Sequence, residues 1–98
     1  MKDKDKVSYC AVFQFNSDGI NIFFPDLQGC LSCAFSENQS KQMAAEALSL
    51  WLTGMKCSDL PTPTPEGAII CKQNEIVHTV NIQVRVHDGY IIGHTKED

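Results

Sequence analysis

Helical spacing of apolar residues occurs in one stretch of this chain, and most other apolar residues lie in short runs or alternate with polar ones. Met43, Ala44, Ala47, Leu48, Trp51, Leu52 and Met55 form a single broad stripe, as expected of a helix lying on a core. Ser36-Glu37-Asn38-Gln39 precedes it as a capping box: the Ser36 hydroxyl accepts from the N–H of Gln39, and Gln39 reaches back. Glu37 suits the helix dipole in the first turn, and Gly54 is placed to end the helix. Trp51 lies on the stripe, so core packing is its expected role. A single helix covers one face of a sheet, and this limits what the rest of the chain can build.

The rest reads as strands. Residues 9 to 15, YCAVFQF, are rich in aromatic and β-branched types. Asn16-Ser17-Asp18-Gly19 is a turn, and Ile20 to Phe24 returns as the second arm of an antiparallel hairpin. Pro25 ends that arm because it lacks an N–H, Gly29 permits a sharp bend, and Cys30 to Phe35 reads as a third strand. Three prolines between Leu60 and Gly67 stiffen a connector toward an extended form. Ala68 to Cys71 fits either a short strand or one helical turn. Val80, Ile82, Val84 and Val86 alternate with Asn81, Gln83, Arg85 and His87, the pattern of a half-buried strand. Asp88-Gly89 then turns the chain, and Tyr90 to Ile92 fits a small fifth strand.

The predicted class is therefore α+β: one domain, order β-β-β-α-β, with a mostly antiparallel sheet covered on one face by one helix. Residues 7–92 form the domain, and residues 1–6 and 93–98 are expected as tails. A helix that returns the chain directly would set the fourth strand parallel to the first, with a right-handed crossover. Strand 1 is apolar on both faces: Tyr9, Ala11, Phe13 and Phe15 on one, Cys10 and Val12 on the other. Strand 2 sets Ile20, Ile22 and Phe24 against Phe23, and strand 3 sets Leu31, Cys33 and Phe35 against Cys30 and Ala34. The face away from the helix must meet another chain, or be covered by the proline connector and the C-terminal segment.

Composition excludes several functions. The 98 residues carry 8 Lys and Arg against 12 Asp and Glu, a net charge of −4. Nucleic-acid affinity comes mostly from basic residues that neutralise phosphates, so direct nucleic-acid binding is not expected, and a basic protein partner fits better. No apolar run is long enough to span a membrane. An N-terminus that alternates Lys and Asp is unlike a secretory signal, and five cysteines suit a reducing cytoplasm.

No catalytic constellation stands out. Cys30 and Cys33 have CxxC spacing, but in an extended strand positions i and i+3 point to opposite faces, so no metal or redox site is expected. His78, His87 and His94 lack zinc-finger spacing and fit exposed surface. Asp18, Asp26 and Asp88 each sit beside Gly or Pro, where turn geometry explains them. No catalytic residue, metal ligand or cofactor site is assigned.

The block over about residues 7 to 65 nevertheless resembles the HicB family of bacterial antitoxins. The resemblance rests on Tyr9-Cys10-Ala11-Val12-Phe13, Asp18-Gly19, Phe24-Pro25-Asp26-Leu27-Gln28-Gly29-Cys30, Glu46-Ala47-Leu48-Ser49-Leu50-Trp51-Leu52 and the prolines that follow. It implies a partial RNase H-like fold without RNase H activity. It also implies a function: binding a small basic toxin of HicA type, an mRNA-cleaving ribonuclease, and covering its active site. Homodimers or higher homo-oligomers are common in that family. Gln28 stands where the family turn has a second proline, and Cys10 where a proline is frequent. Full-length members usually continue into a DNA-binding domain. The residues after 86 leave no room for one, so operator binding is not expected.

The leading expectation is thus a non-enzymatic, cytoplasmic antitoxin-like protein. A self-associating domain of the same fold with a different protein or small ligand is the alternative. An enzyme is the third reading, opposed by the lack of clustered acids on the strands that metal-dependent RNase H chemistry needs. Two surfaces are assigned to partner contact: the turn residues Asp26, Leu27 and Gln28, and the polar positions Asn81, Gln83 and Arg85 of the fourth strand.

Overall fold

The computed structural model describes residues 4–97, with side chains described from residue 6 to 93. Five strands and one helix follow in the order β1 (Lys4–Asn16), β2 (Gly19–Phe23), β3 (Leu31–Ala34), α1 (Glu37–Leu52), β4 (Glu75–His87) and β5 (Tyr90–Glu97). All strands join one sheet, ordered β3-β2-β1-β4-β5, and every neighbouring pair is antiparallel. The fold is α+β, with α1 on one face.

The alternation read from the sequence becomes the two faces of the sheet. Tyr9, Ala11 and Phe13 of β1, Ile20 and Ile22 of β2, and Val80, Ile82 and Val84 of β4 are buried in one core. Ala44, Ala45, Leu48 and Leu52 close it from the helix. Phe24, Leu27 and Cys30, around the β2–β3 turn, seal the end of the same core. Burial of such side chains contributes about 1.5–3 kcal/mol each.

The direction of β4 departs from expectation. It runs antiparallel to β1, from Gln14↔Glu75 to Lys4↔Arg85. The reason lies in the connector. The helix ends level with the β2–β3 turn, where Trp51 meets Gln28. The chain then climbs the sheet, touching Tyr9 through Pro61, Cys10 through Thr64 and Phe15 through Asn74. It reaches the β1–β2 hairpin before β4 begins, so β4 must run back down. The return needs no parallel crossover.

Both ends of the sheet are longer than the sequence pattern indicates. β1 begins at Lys4 and β5 continues to Glu97, because β4 extends far enough to pair with each. These backbone pairs include residues expected to lie in the tails. The hairpins are tight. Asn16 pairs with Gly19 around a two-residue loop, and at Asp88-Gly89 both residues take positive φ, 52° and 81°, as a type I′ turn requires. Gly19 is fixed by space as well, since a Cβ there would lie 3.0 Å from the carbonyl oxygen of Ala34.

The helix start differs in detail from a capping box. The Ser36 hydroxyl makes no capping bond; its carbonyl accepts from the Gln39 N–H at 3.2 Å. Gln39 does reach back, but its Oε1 accepts from the N–H of Phe35, one residue earlier. After the helix, Gly54 takes φ +91° and donates its N–H to Ile91 at 2.6 Å. The ambiguous segment, Ala68 to Cys71, forms neither a strand nor a helical turn of its own: Ala68 ends a 3-10 turn, Glu66–Ala68, and residues 69–71 are irregular.

Candidate functional site

The turn Pro25–Gly29 is held from three sides. Internally, Leu27 donates to the carbonyl of Phe24 and Cys30 to that of Leu27, both at 3.0 Å. From the helix, the Trp51 indole N–H donates to the Gln28 carbonyl at 3.2 Å. Trp51 thus adds a hydrogen bond to its packing role, as partly buried tryptophans usually do. From the connector, Thr64 donates its N–H and its hydroxyl to the two carboxylate oxygens of Asp26, at 2.7 and 2.6 Å.

That last contact belongs to a strap. The segment Pro61–Glu66 is anchored on the helix-face side of β1, where the buried Tyr9 hydroxyl donates to Pro61 at 2.5 Å. It then passes to the opposite face, where the Cys10 thiol donates to the Thr64 carbonyl at 3.3 Å. It ends beside β4, where Glu66 accepts both the N–H and the hydroxyl of Thr79, at 2.8 and 2.7 Å. Two carboxylates, Asp26 and Glu66, therefore each clasp one threonine, and the strap lies between them. Burial, with the nearby negative charge of Asp26, pushes the Tyr9 phenol above its ordinary pKa.

The hydrogen bonds from Thr79 hold the Glu66 carboxyl below its ordinary pKa. A depressed acid stabilises the fold above its unfolded pKa, and the gain is lost as pH falls through the folded value. The Glu66 clasp should therefore persist to below about pH 4.3, the ordinary glutamate value. In a proton NMR titration, the Thr79 amide should report a midpoint under that value. A midpoint at or above it would mean that the clasp does not form in solution.

The sequence-assigned contact residues fall in different roles. Leu27 is buried in the core, Asp26 is half-buried and engaged by the strap, and Gln28 is exposed. On β4, Asn81 accepts from the Ser8 hydroxyl, Gln83 is half-buried opposite Lys6, and Arg85 is exposed. The structure does not bring the two groups together, because β1 and the strap lie between them. Thr64, Glu66 and Thr79, which organise this region, carry no local signal in the sequence. The one available clue was Tyr9, whose buried hydroxyl needs a partner.

The cysteines separate as extended geometry requires. Cys30 is buried on the helix face, its thiol donating to the Ala47 carbonyl at 3.6 Å, and burial raises its pKa to about 11. Cys33 is exposed on the other face. Among the described residues no three His, Cys, Asp or Glu side chains cluster as metal ligands would. His78 packs edge-on against Phe13, with ring centroids 5.7 Å apart, and His87 lies beside Asp88 at 3.4 Å. No helix among the described residues is long and apolar enough to cross a membrane.

The face opposite the helix is only partly covered. The strap lies over Cys10, so one of the two expected solutions, the connector folding back, is realised there. At the far end Leu31 and Phe35 remain 69% and 88% exposed, around β3. Beside Leu31, a hollow of about 580 Å³ opens between Phe23, Pro25, Gln28 and Leu31.

No protein-family model matches this chain, and no curated protein sequence does. Among solved structures it is similar to a chain of a HicA3 and HicB3 toxin-antitoxin complex. The TM-score is 0.59 at 17% identity, over 74% of this chain and 94% of that one. At that identity the likeness is one of fold.

Proposed function

We propose that this chain is an antitoxin-like binding protein that neutralises a small, basic, mRNA-cleaving toxin of HicA type by covering its active site. The observation that carries the proposal is the agreement of two likenesses. The ordered motifs from Tyr9 to Pro65, centred on Phe24–Cys30, resemble HicB antitoxins, and the fold resembles a chain of a HicA3–HicB3 complex. Charge supports the antitoxin side of such a pair. A protein that grips RNA needs basic surface, whereas this chain carries −4. It acts by occlusion, without chemistry of its own, and works in the cytoplasm with its toxin.

The test is co-expression with HicA-type toxins, including any encoded beside this chain. Growth arrest by the cognate toxin should be relieved, and the two proteins should co-purify. Persistent arrest with no complex, at matched expression, would remove the toxin from the proposal. If the pure chain then forms a stable oligomer and captures a different protein or small ligand, the self-associating alternative replaces it.

A further inference from the structure

β3 is an end strand of the sheet, and nothing in its sequence protects it. Edge strands usually carry lysine, proline or a bulge that discourages pairing. Cys30 to Phe35 reads CLSCAF, without charge or proline, and its pairing to β2 is regular. The backbone is set for addition. Phe24 donates to the Cys30 carbonyl at 3.2 Å, and bonded pairs recur at every second residue of an antiparallel ladder. The N–H and C=O groups of Leu31 and Cys33 therefore turn outward. Other edges are covered in part. Glu66 takes the Thr79 N–H of β4, and Met55 and Cys57 pair with the β5 end at Ile91 and Gly89.

The side chains here form an apolar strip in an acidic setting. Leu31 and Phe35 stand exposed, and a small cavity of about 180 Å³ brings Asp18 beside Cys33 and Phe35. Glu37 opens the helix just beyond. From Val7 to Met55 the only basic residue is Lys41, against Asp18, Asp26, Glu37 and Glu46. A second copy would bring the same acidic stretch, with Lys41 as its one basic residue, and so little charge to match Asp18 and Glu37. A basic segment would meet opposite charge and the same apolar anchors.

We infer that the outer edge of β3 is the docking edge for an extended, basic segment of the partner, added as a sixth strand, with Leu31 and Phe35 as its anchors. This rests on the antitoxin reading and names the surface through which it operates. Backbone bonds to Leu31 and Cys33 supply the pairing, the side chains supply the grip, and the acids favour a basic strand over another copy.

The experiment uses the full chain and a HicA-type toxin disabled in cleavage. Leu31→Lys and Phe35→Lys should each weaken the complex by about tenfold or more, in the range of interface anchor residues. Ile92→Lys, an exposed apolar site on β5, should change it by less than about twofold, as substitutions outside a contact do. Thermal unfolding of each variant verifies that the fold is kept. Alkylation with peptide mapping gives an independent readout: Cys33 should react in the free chain and be protected in the complex. If the wild-type chain binds no toxin, the antitoxin reading falls, and this inference with it. If the complex forms but ignores both substitutions and leaves Cys33 reactive, only the docking edge is wrong. A free chain that is a dimer, with Cys33 protected until Leu31→Lys separates it, would assign the edge to a second copy instead.

Discussion

Leu48→Ala is expected to destabilise the domain by about 2–5 kcal/mol, the range for deleting a buried leucine side chain. Leu48 is fully buried at the middle of α1, in the core with Tyr9, Phe13, Ile22 and Ile82. α1 is the main cover of this face, and the β2–β3 turn and the connector close only its rim, so little can shift to fill the void. Domains of this size have about 5–15 kcal/mol of net stability, so this single change removes a large share of it. The control is close at hand: Leu50, two residues on, is 78% exposed. Leu50→Ala should fall within about 0.5 kcal/mol of the parent, as surface substitutions do. Urea unfolding measures both, with the midpoint moving for Leu48→Ala and the slope unchanged. Equal effects at the two positions would contradict the orientation of the helix on the sheet.

That pair of leucines also marks how far the sequence can be read. Helical spacing placed Leu48 and Leu52 inward, and period two separated Tyr9, Ala11 and Phe13 from Cys10 and Val12. Both patterns survive because they record burial on one element against a neighbouring layer. The direction of β4 does not follow from such a pattern. It depends on where the connector between Leu60 and Asn74 travels, and its path is set by contacts distant in sequence, such as Tyr9 with Pro61 and Thr79 with Glu66. Prolines indicate that a segment is extended, without indicating which face it crosses. The helix start shows a smaller version of the same limit. Ser36 and Gln39 have capping-box spacing, yet Gln39 bonds the Phe35 N–H, because its side chain finds that amide as the chain leaves β3.

The candidate surface was legible in the same uneven way. The turn Asp26-Leu27-Gln28 is rich in features that draw attention, but two of its three side chains serve the fold: Leu27 fills the core and Asp26 holds the strap. The exposed Leu31 and Phe35 were visible only as one side of an alternation. Their sequence resembles that of any buried strand, and exposure becomes apparent once the strap is seen to cover Cys10 and leave the end of β3 open.

Asp26→Ala separates the structural role of the turn from its role as a contact. The substitution removes both acceptors of Thr64, leaving a backbone N–H and a hydroxyl without their charged partner. Hydrogen bonds to a charged group contribute about 1.5–3 kcal/mol, and both bonds here share one carboxylate, so the expected loss is about 2–3 kcal/mol. Asp26→Asn should lose less, because its amide oxygen still accepts one of the two bonds. The damage should be local. In hydrogen exchange, the Thr64 amide should lose protection most, while the α1 amides around Leu48 keep theirs relative to global stability. On the antitoxin proposal, restoring stability through a distant substitution should then restore binding of the proposed toxin, if Asp26 acts through the strap. Binding that stays weak in a restabilised, folded Asp26→Ala chain would place the carboxylate in the interface itself. The two outcomes divide the conspicuous residues of the FPDLQGC turn between those that shape the chain and those that face a partner, a division that composition and spacing leave unmade because one aspartate beside a proline satisfies both.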